Sequence, residues 1–228
     1  GGDGGSSDGG IAADGGVGTS ILGGPSARFR NTGTGGLFTT VRGQGGNGGA
    51  GTSGSDGGTG GDGSATAHVG DGGSGSATRT FVDAIGGTGG TSDSGQAGDG
   101  GGAFASGSIE SAGDIDFDLQ SRGGSGGAIA FDGSGIAGTG GSASAGPITA
   151  TSSGGNVDVD LTLRGGTGGS ANSGTNTGTA GAGGSLNLGL TDVTTTPNNA
   201  SLHVNAAGGV GGSSDTGTAG AGGDVFLT

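Results

Sequence analysis

The pentapeptide GGxGG begins at Gly1, Gly45, Gly86, Gly123, Gly165 and Gly208, with successive spacings of 44, 41, 37, 42 and 43 residues. A further copy at Gly57 falls inside the second repeat. Five repeats of about 42 residues and a partial sixth, from Gly208, fill residues 1–228 as one array, with no separate domain or linker. A fixed period of this size marks a chain of like units, each too small to bury its own open face, that stack on one another.

Every repeat has the same order. GGxGG is followed by a small residue: Ser6, Ala50, Thr91, Ala128, Ser170 or Ser213. A second glycine arm comes next, then a strand-like run, a turn, and a second strand-like run leading into the next GGxGG. In the fifth repeat these parts read GGTGGS, GTAGAGG, SLNLGLTDV, TTTPNN and ASLHVNAA. The second strand carries the clearest register. Four residues before each new GGxGG stand Val41, Val82, Leu119, Leu161 and Val204, and two residues earlier stand Thr39, Thr80, Phe117, Val159 and Leu202. Period-2 alternation of this kind predicts β-strands with one buried face. A random coil would not hold that register through five copies.

Glycine makes up 71 of the 228 residues, while Leu, Ile, Val and Phe together number 35, about 15%. That is below the level at which a chain sustains a large apolar core. The glycines must therefore contribute structure. In GGxGGx the non-glycine returns every third residue, and the second arms share that period: Gly95-Gly98-Gly101, Gly135-Gly138-Gly141, Gly178-Gly181-Gly184 and Gly217-Gly220-Gly223. Period three belongs to the extended polyproline-II-type helix, which has no internal hydrogen bonds. Ordering glycine costs more backbone entropy than ordering any other residue, so such arms are stable only when hydrogen-bonded to neighbours. The octapeptide TGTAGAGG, present at 177–184 and again at 216–223, repeats because its glycines face another arm with no Cβ between them. With only three prolines and no continuous Gly-X-Y run, collagen is excluded. The predicted fold is an all-β repeat solenoid of about 42-residue repeats that combines β-strands with polyglycine-II-type arms.

A net charge of −13 argues against nucleic acid and against anionic membrane surfaces, and is compatible with divalent cations. No apolar run is long enough to span a membrane, and the absence of Cys excludes a disulfide framework. The chain has no initiator Met or signal peptide, so a processed product or an excised segment is expected. It closes on a strand-like run without its second-strand partner, and neither end changes character. The expected partner is therefore a continuation of the array or a second copy stacked end to end in a fibre.

The runs AGDIDFDL (112–119), GGNVDVDLTL (154–163), GGSLNLGL (183–190) and GGDVFL (222–227) resemble the coil units of giant bacterial surface adhesins. These are the filamentous-haemagglutinin-like and autotransporter passengers, whose glycine-rich members resemble residues 164–185. The resemblance implies a β-solenoid at a cell surface or in an extracellular fibre. The glycine arms themselves resemble the polyglycine-II bundles of some antifreeze proteins and phage adhesins.

Catalytic signals are sparse, and no enzyme is expected. His68 and His203 are the two histidines and do not occupy equivalent repeat positions; each reads as a surface histidine. Without Lys no P-loop can form. For a cation, Asp116 and Asp158 share one outward column and Asp118 and Asp160 the next. If the third and fourth repeats stack, four carboxylates lie on one face, an oxygen cluster suited to calcium. The competing reading is a hydrated acidic face that keeps fibres soluble. GGTGGDGSA (57–65) has calcium β-roll spacing but lacks both the aliphatic residue and a tandem copy. The expected function is a structural or adhesive extracellular fibre segment. The alternative is a ligand-binding module for ice or a surface glycan. Against ice stands the middle residue of GGxGG, which varies as Asp3, Asn47, Thr88, Ser125, Thr167 and Val210.

Overall fold

The computed structural model describes residues 1–71, 75–130, 135–171, 179–189, 191–195 and 198–227. Thr177 and Gly178 of the first octapeptide copy and the Thr196–Pro197 part of the fifth-repeat turn lie outside the described residues. Among the described residues there is no helix. The strands, in chain order, are β1 (Ser7–Asp8), β2 (Gly18–Leu22), β3 (Phe29–Asn31), β4 (Leu37–Gln44), β5 (Gly51–Thr52), β6 (Gly63–Asp71), β7 (Thr78–Ile85) and β8 (Ala103–Ser111). They continue as β9 (Ile115–Arg122), β10 (Ala143–Ser152), β11 (Val157–Arg164), β12 (Leu186–Leu188), β13 (Thr191–Thr195), β14 (Ala200–Ala207) and β15 (Val225–Leu227).

One sheet runs β15-β12-β10-β8-β6-β2, with β13 beside β10 and β3 beside β6. A second runs β14-β11-β9-β7-β4. The ladders are parallel, and each strand pairs with the corresponding strand of the adjoining repeat. The rows read from the sequence are the observed register: Val41, Val82, Leu119, Leu161 and Val204 stand side by side across the second sheet. The inward rows of the two sheets form one core that includes the fully buried Ile109, Phe117, Leu119, Ile148 and Leu161. Thr39 and Thr80 lie in the otherwise apolar row of Phe117 and Val159, where their hydroxyls satisfy each other at 2.9 Å.

The glycine arms continue the stack beside this core by a different means. Equivalent arms run parallel and bond along the axis, as Gly48 N–H does to Thr88 O and Gly89 N–H to Ser125 O, each at 2.8 Å. First and second arms run antiparallel and bond across to each other in two zigzag ladders. One passes through Gly2, Gly16, Gly46, Gly61, Gly87, Gly101, Gly124, Gly141, Gly166, Gly184, Gly209 and Gly223, each N–H reaching the preceding carbonyl at 2.7–2.9 Å. Its twin passes through Gly5, Ala13, Gly49, Gly58, Gly90, Gly98, Gly127, Gly138, Gly169, Gly181, Gly212 and Gly220 at 2.8–3.0 Å. In each triplet one N–H points along the axis, one crosses to the other arm and one faces outward. A Cβ on Gly138 would land on the Gly98 carbonyl oxygen, and one on Gly181 on that of Gly138. Thr179, two residues before Gly181, faces out and is exposed.

Candidate functional site

At several triplets the outward N–H is accepted by a side chain instead of a backbone carbonyl. Asp3 Oδ1 accepts from Asn47 N–H at 2.7 Å, Asp14 from Thr59 at 2.8 Å, Asp56 from Gln96 at 2.7 Å and Asp99 from Thr139 at 2.7 Å. Asp62 and Asp114 do the same for Gly102 and Asn156, at 2.7 and 2.8 Å. In every case an aspartate of one repeat caps the equivalent residue of the next. These aspartates, all outside the face of Asp116, Asp118, Asp158 and Asp160, thus tie repeats together. Asp93 accepts from Ser53 at 2.6 Å and Gly54 at 3.0 Å, in a turn where both residues have positive φ. These bonds, the Gly54 N–H foremost, hold the Asp93 carboxyl below the usual carboxylate range.

The four carboxylates expected to share a cation are on one face as the spacing required. Asp158 pairs in register with Asp116, and Asp160 with Asp118, on β11 and β9. The sequence did not reveal Arg79. From β7 it reaches Asp116 through Nε at 3.1 Å and Asp118 through Nη2 at 3.5 Å, so a guanidinium already bridges half of the set. Burial pushes the Asp116 carboxyl up; Arg79 opposes this, and Asp118, Asp158 and Asp160 add to it. On the other side, Asp158 and Asp160 lie with His203 of β14, and their ligand atoms are all within 4.8 Å of one another. Ser201 donates to Asp158 Oδ1 at 2.7 Å. The next row is also clamped by charge: buried Asp83 meets Arg122 at 3.0 Å and Arg42 at 3.5 Å. Oxygen-rich, exposed and half neutralised, the face can attract a hard cation but holds no enclosed cage of ligands.

His68 stands on the other sheet, its Nδ1 2.8 Å from Ser108 Oγ. The outer row of the first arms joins side chain to side chain in pairs, Thr88 Oγ1 with Asn47 Oδ1 and Thr167 Oγ1 with Ser125 Oγ, both at 2.9 Å.

No protein-family model and no curated protein matches the sequence. Among solved structures, a nine polyproline type II helical bundle springtail antifreeze protein from Granisotoma rainieri is 23% identical, and the match covers 83% of this chain and 96% of that one. Its TM-score is 0.20, a level that fixes neither fold nor function. No helix is long and apolar enough to cross a membrane among the described residues.

Proposed function

We propose that the chain is a structural segment of an extracellular fibre or surface stalk. In this reading it is a β-solenoid of about 42-residue coils whose glycine arms form a polyglycine-II bundle, and it is lengthened by further repeats or by a second copy. The observation that carries it is the pair of zigzag ladders running unbroken from Gly2 to Gly223 and from Gly5 to Gly220. Such a ladder adds a repeat with the same bonds at every step and has no natural length. The edge at β14 supports the same reading: Leu202 and Val204 occupy the inward rows yet remain 44% and 41% exposed. A parallel edge with apolar inward residues is a template for another strand.

The test is to follow particle length by electron microscopy and sedimentation over a concentration series, alongside a variant with an extra copy of residues 123–164 inserted after Arg164. Rods that lengthen with concentration, and an inserted repeat that raises the melting temperature, are expected. Leu202→Lys should block end-to-end growth. Particles that stay single and gain no stability from the added repeat sink the reading. A ligand-binding module for ice or a surface glycan is the alternative. The hydroxyl and amide groups of Asn47, Thr88, Ser125 and Thr167 in one outward row suit a glycan, while Asp3 and Val210 in the same row break the regular face that ice requires. Retention of the single particle on ice or on a glycan array would select it.

A further inference from the structure

The first sheet departs from its regular stack at two places, and both border the same pair of strands. Between β2 and β3, residues 23–28 stand opposite His68 alone, because Leu22 pairs with Ala67 and Phe29 with Val69. In β10, Gly146 and Pro147 stand opposite Ser106 alone, because Ala145 pairs with Ala105 and Ile148 with Gly107. Gly23 starts the first excursion at a φ of 70°, where a side chain would be strained and would meet the His68 carbonyl. Gly24 and Ala27 close it with reciprocal backbone bonds of 3.0 and 3.1 Å, which returns Arg28 over the sheet. Pro147 lacks an N–H and is tolerated because it sits in a bulge. Pro25 and Pro147, from the two irregularities, help to wall a pocket of about 310 Å³ whose lining includes Arg28, His68 and Ser108. A stack needs neither excursion for its stability, and departures from local regularity gather at functional sites.

One hydrogen bond inside the pocket has a fixed donor. Arg28 Nη1 lies 3.0 Å from Ser108 Oγ and can only donate, so it occupies a lone pair of that oxygen. His68 Nδ1 lies 2.8 Å from the same oxygen, and in the Nε2–H tautomer of the imidazole Nδ1 accepts the Ser108 hydroxyl proton. Burial, and secondarily the charge of Arg28, hold the His68 imidazole below its ordinary pKa, which favours the neutral ring, whose Nε2–H tautomer carries the lone pair on Nδ1. Glu110 Oε1 holds the other end of the guanidinium at 2.7 Å and balances its charge. Beyond Ser108 the same outward row continues through Thr149 to Asp192.

We propose that Ser108 is a nucleophile toward small activated esters, with His68 as its base and Arg28 as the cation beside the developing oxyanion. A serine hydroxyl is a weak nucleophile unless an adjacent base accepts its proton. Ser108 Oγ bonds to the carbonyl carbon as its proton passes to His68 Nδ1, and the carbonyl π pair moves onto oxygen beside Arg28. Collapse breaks the bond to the leaving alcohol, whose oxygen takes the proton from His68. Water then adds to the acyl-serine and gives a proton to His68; the carboxylic acid departs, and Ser108 regains its hydrogen. The pocket is at the lower end of small-ligand sites, about 300–1,000 Å³, which limits the acyl group to a few carbons.

The experiment uses the full chain with p-nitrophenyl acetate. One equivalent of p-nitrophenol should be released in a burst, and intact-mass and peptide analysis should find an acetyl group on Ser108. Ser108→Ala should abolish both, and His68→Gln should slow the burst by about 100-fold, the lower end of what a positioned base contributes. The burst rate should rise with pH and level off below about 6.5, the ordinary imidazole value, because His68 deprotonates early. Thermal melts of the variants report whether they fold, and the adduct in the parent needs no variant at all. A parent with no burst and no Ser108 adduct, or equal adducts in Ser108→Ala, overturns the proposal. Neither outcome depends on whether the chain assembles into fibres.

Discussion

The two halves of each repeat obey opposite rules for side chains while sharing one axis. In the strands, stability comes from atoms that fill the space between two sheets: Phe117, Leu119, Leu161 and their neighbours. In the arms it comes from atoms that are missing, because the crossing bonds from Gly46 and Gly49 onward bring two backbones to a distance that leaves no room for a Cβ. Alanine is thus a truncation in one half and an insertion in the other, and it should damage both.

That contrast can be broken most sharply at Gly138. A Cβ there lands on the Gly98 carbonyl and crowds Gly127 N, so Gly138→Ala must shift a backbone whose N–H reaches Gly127 and whose carbonyl accepts from Gly169, straining both crossing bonds. Roughly 3 kcal/mol of overpacking plus about 1 kcal/mol for each of two lost bonds predicts a loss near 5 kcal/mol. Thr139→Ala, one residue along on the exposed side, should stay within about 0.5 kcal/mol. Urea melts of the pair check the difference; equal effects would mean that the arms do not pack as described. Phe117→Ala should cost about 3–5 kcal/mol by leaving a cavity at the centre of the strand half. Refilling that cavity with Leu should recover most of the loss, whereas no larger residue can rescue Gly138.

The smallest effect is electrostatic and differs in sign between the halves. Asp93, in a turn beside the arms, has a lowered carboxyl pKa, so its contribution is present at neutral pH and lost as the pH falls through the folded-state value. Asp116, on the strand half, has a raised carboxyl pKa, so its charge is a cost at neutral pH that protonation relieves as the pH falls through that raised value. Asp93→Asn should therefore lower the neutral-pH melting temperature slightly. Asp116→Asn should leave it unchanged or raise it, since losing Arg79 as a partner offsets part of the gain. Both differences should vanish in strong acid. Shifts of the same sign at neutral pH would show that one of the two environments is misassigned.

Much of the stack was legible because each repeat writes its own orientation. Alternation at Val159 and Leu161, and at Asp158 and Asp160, separates inward from outward on any strand of this kind. Six copies of GGxGG gave the axial order, so the Asp116–Asp158 and Asp118–Asp160 neighbours followed. The Ser108–His68 pair did not. His68 lies 23 residues after Gly45 and Ser108 lies 22 after Gly86, so a one-residue difference upstream hid their alignment. Arg28 was hidden more deeply, because it enters from an excursion that has no counterpart in the other repeats.

The sequence by itself determined the period, the strand rows and the positions where only glycine fits. Each of these follows from a local pattern of side-chain size that any neighbour of the same kind would read alike. Only the tertiary structure decided that first and second arms run antiparallel in two ladders, that aspartates cap the outward N–H groups of the following repeat, and that Arg79 divides the acidic face. The caps join residues about 40 positions apart, and the geometry of caps and ladder bonds alike depends on how two backbones sit across a gap. A residue's own neighbours in the chain carry no record of that distance.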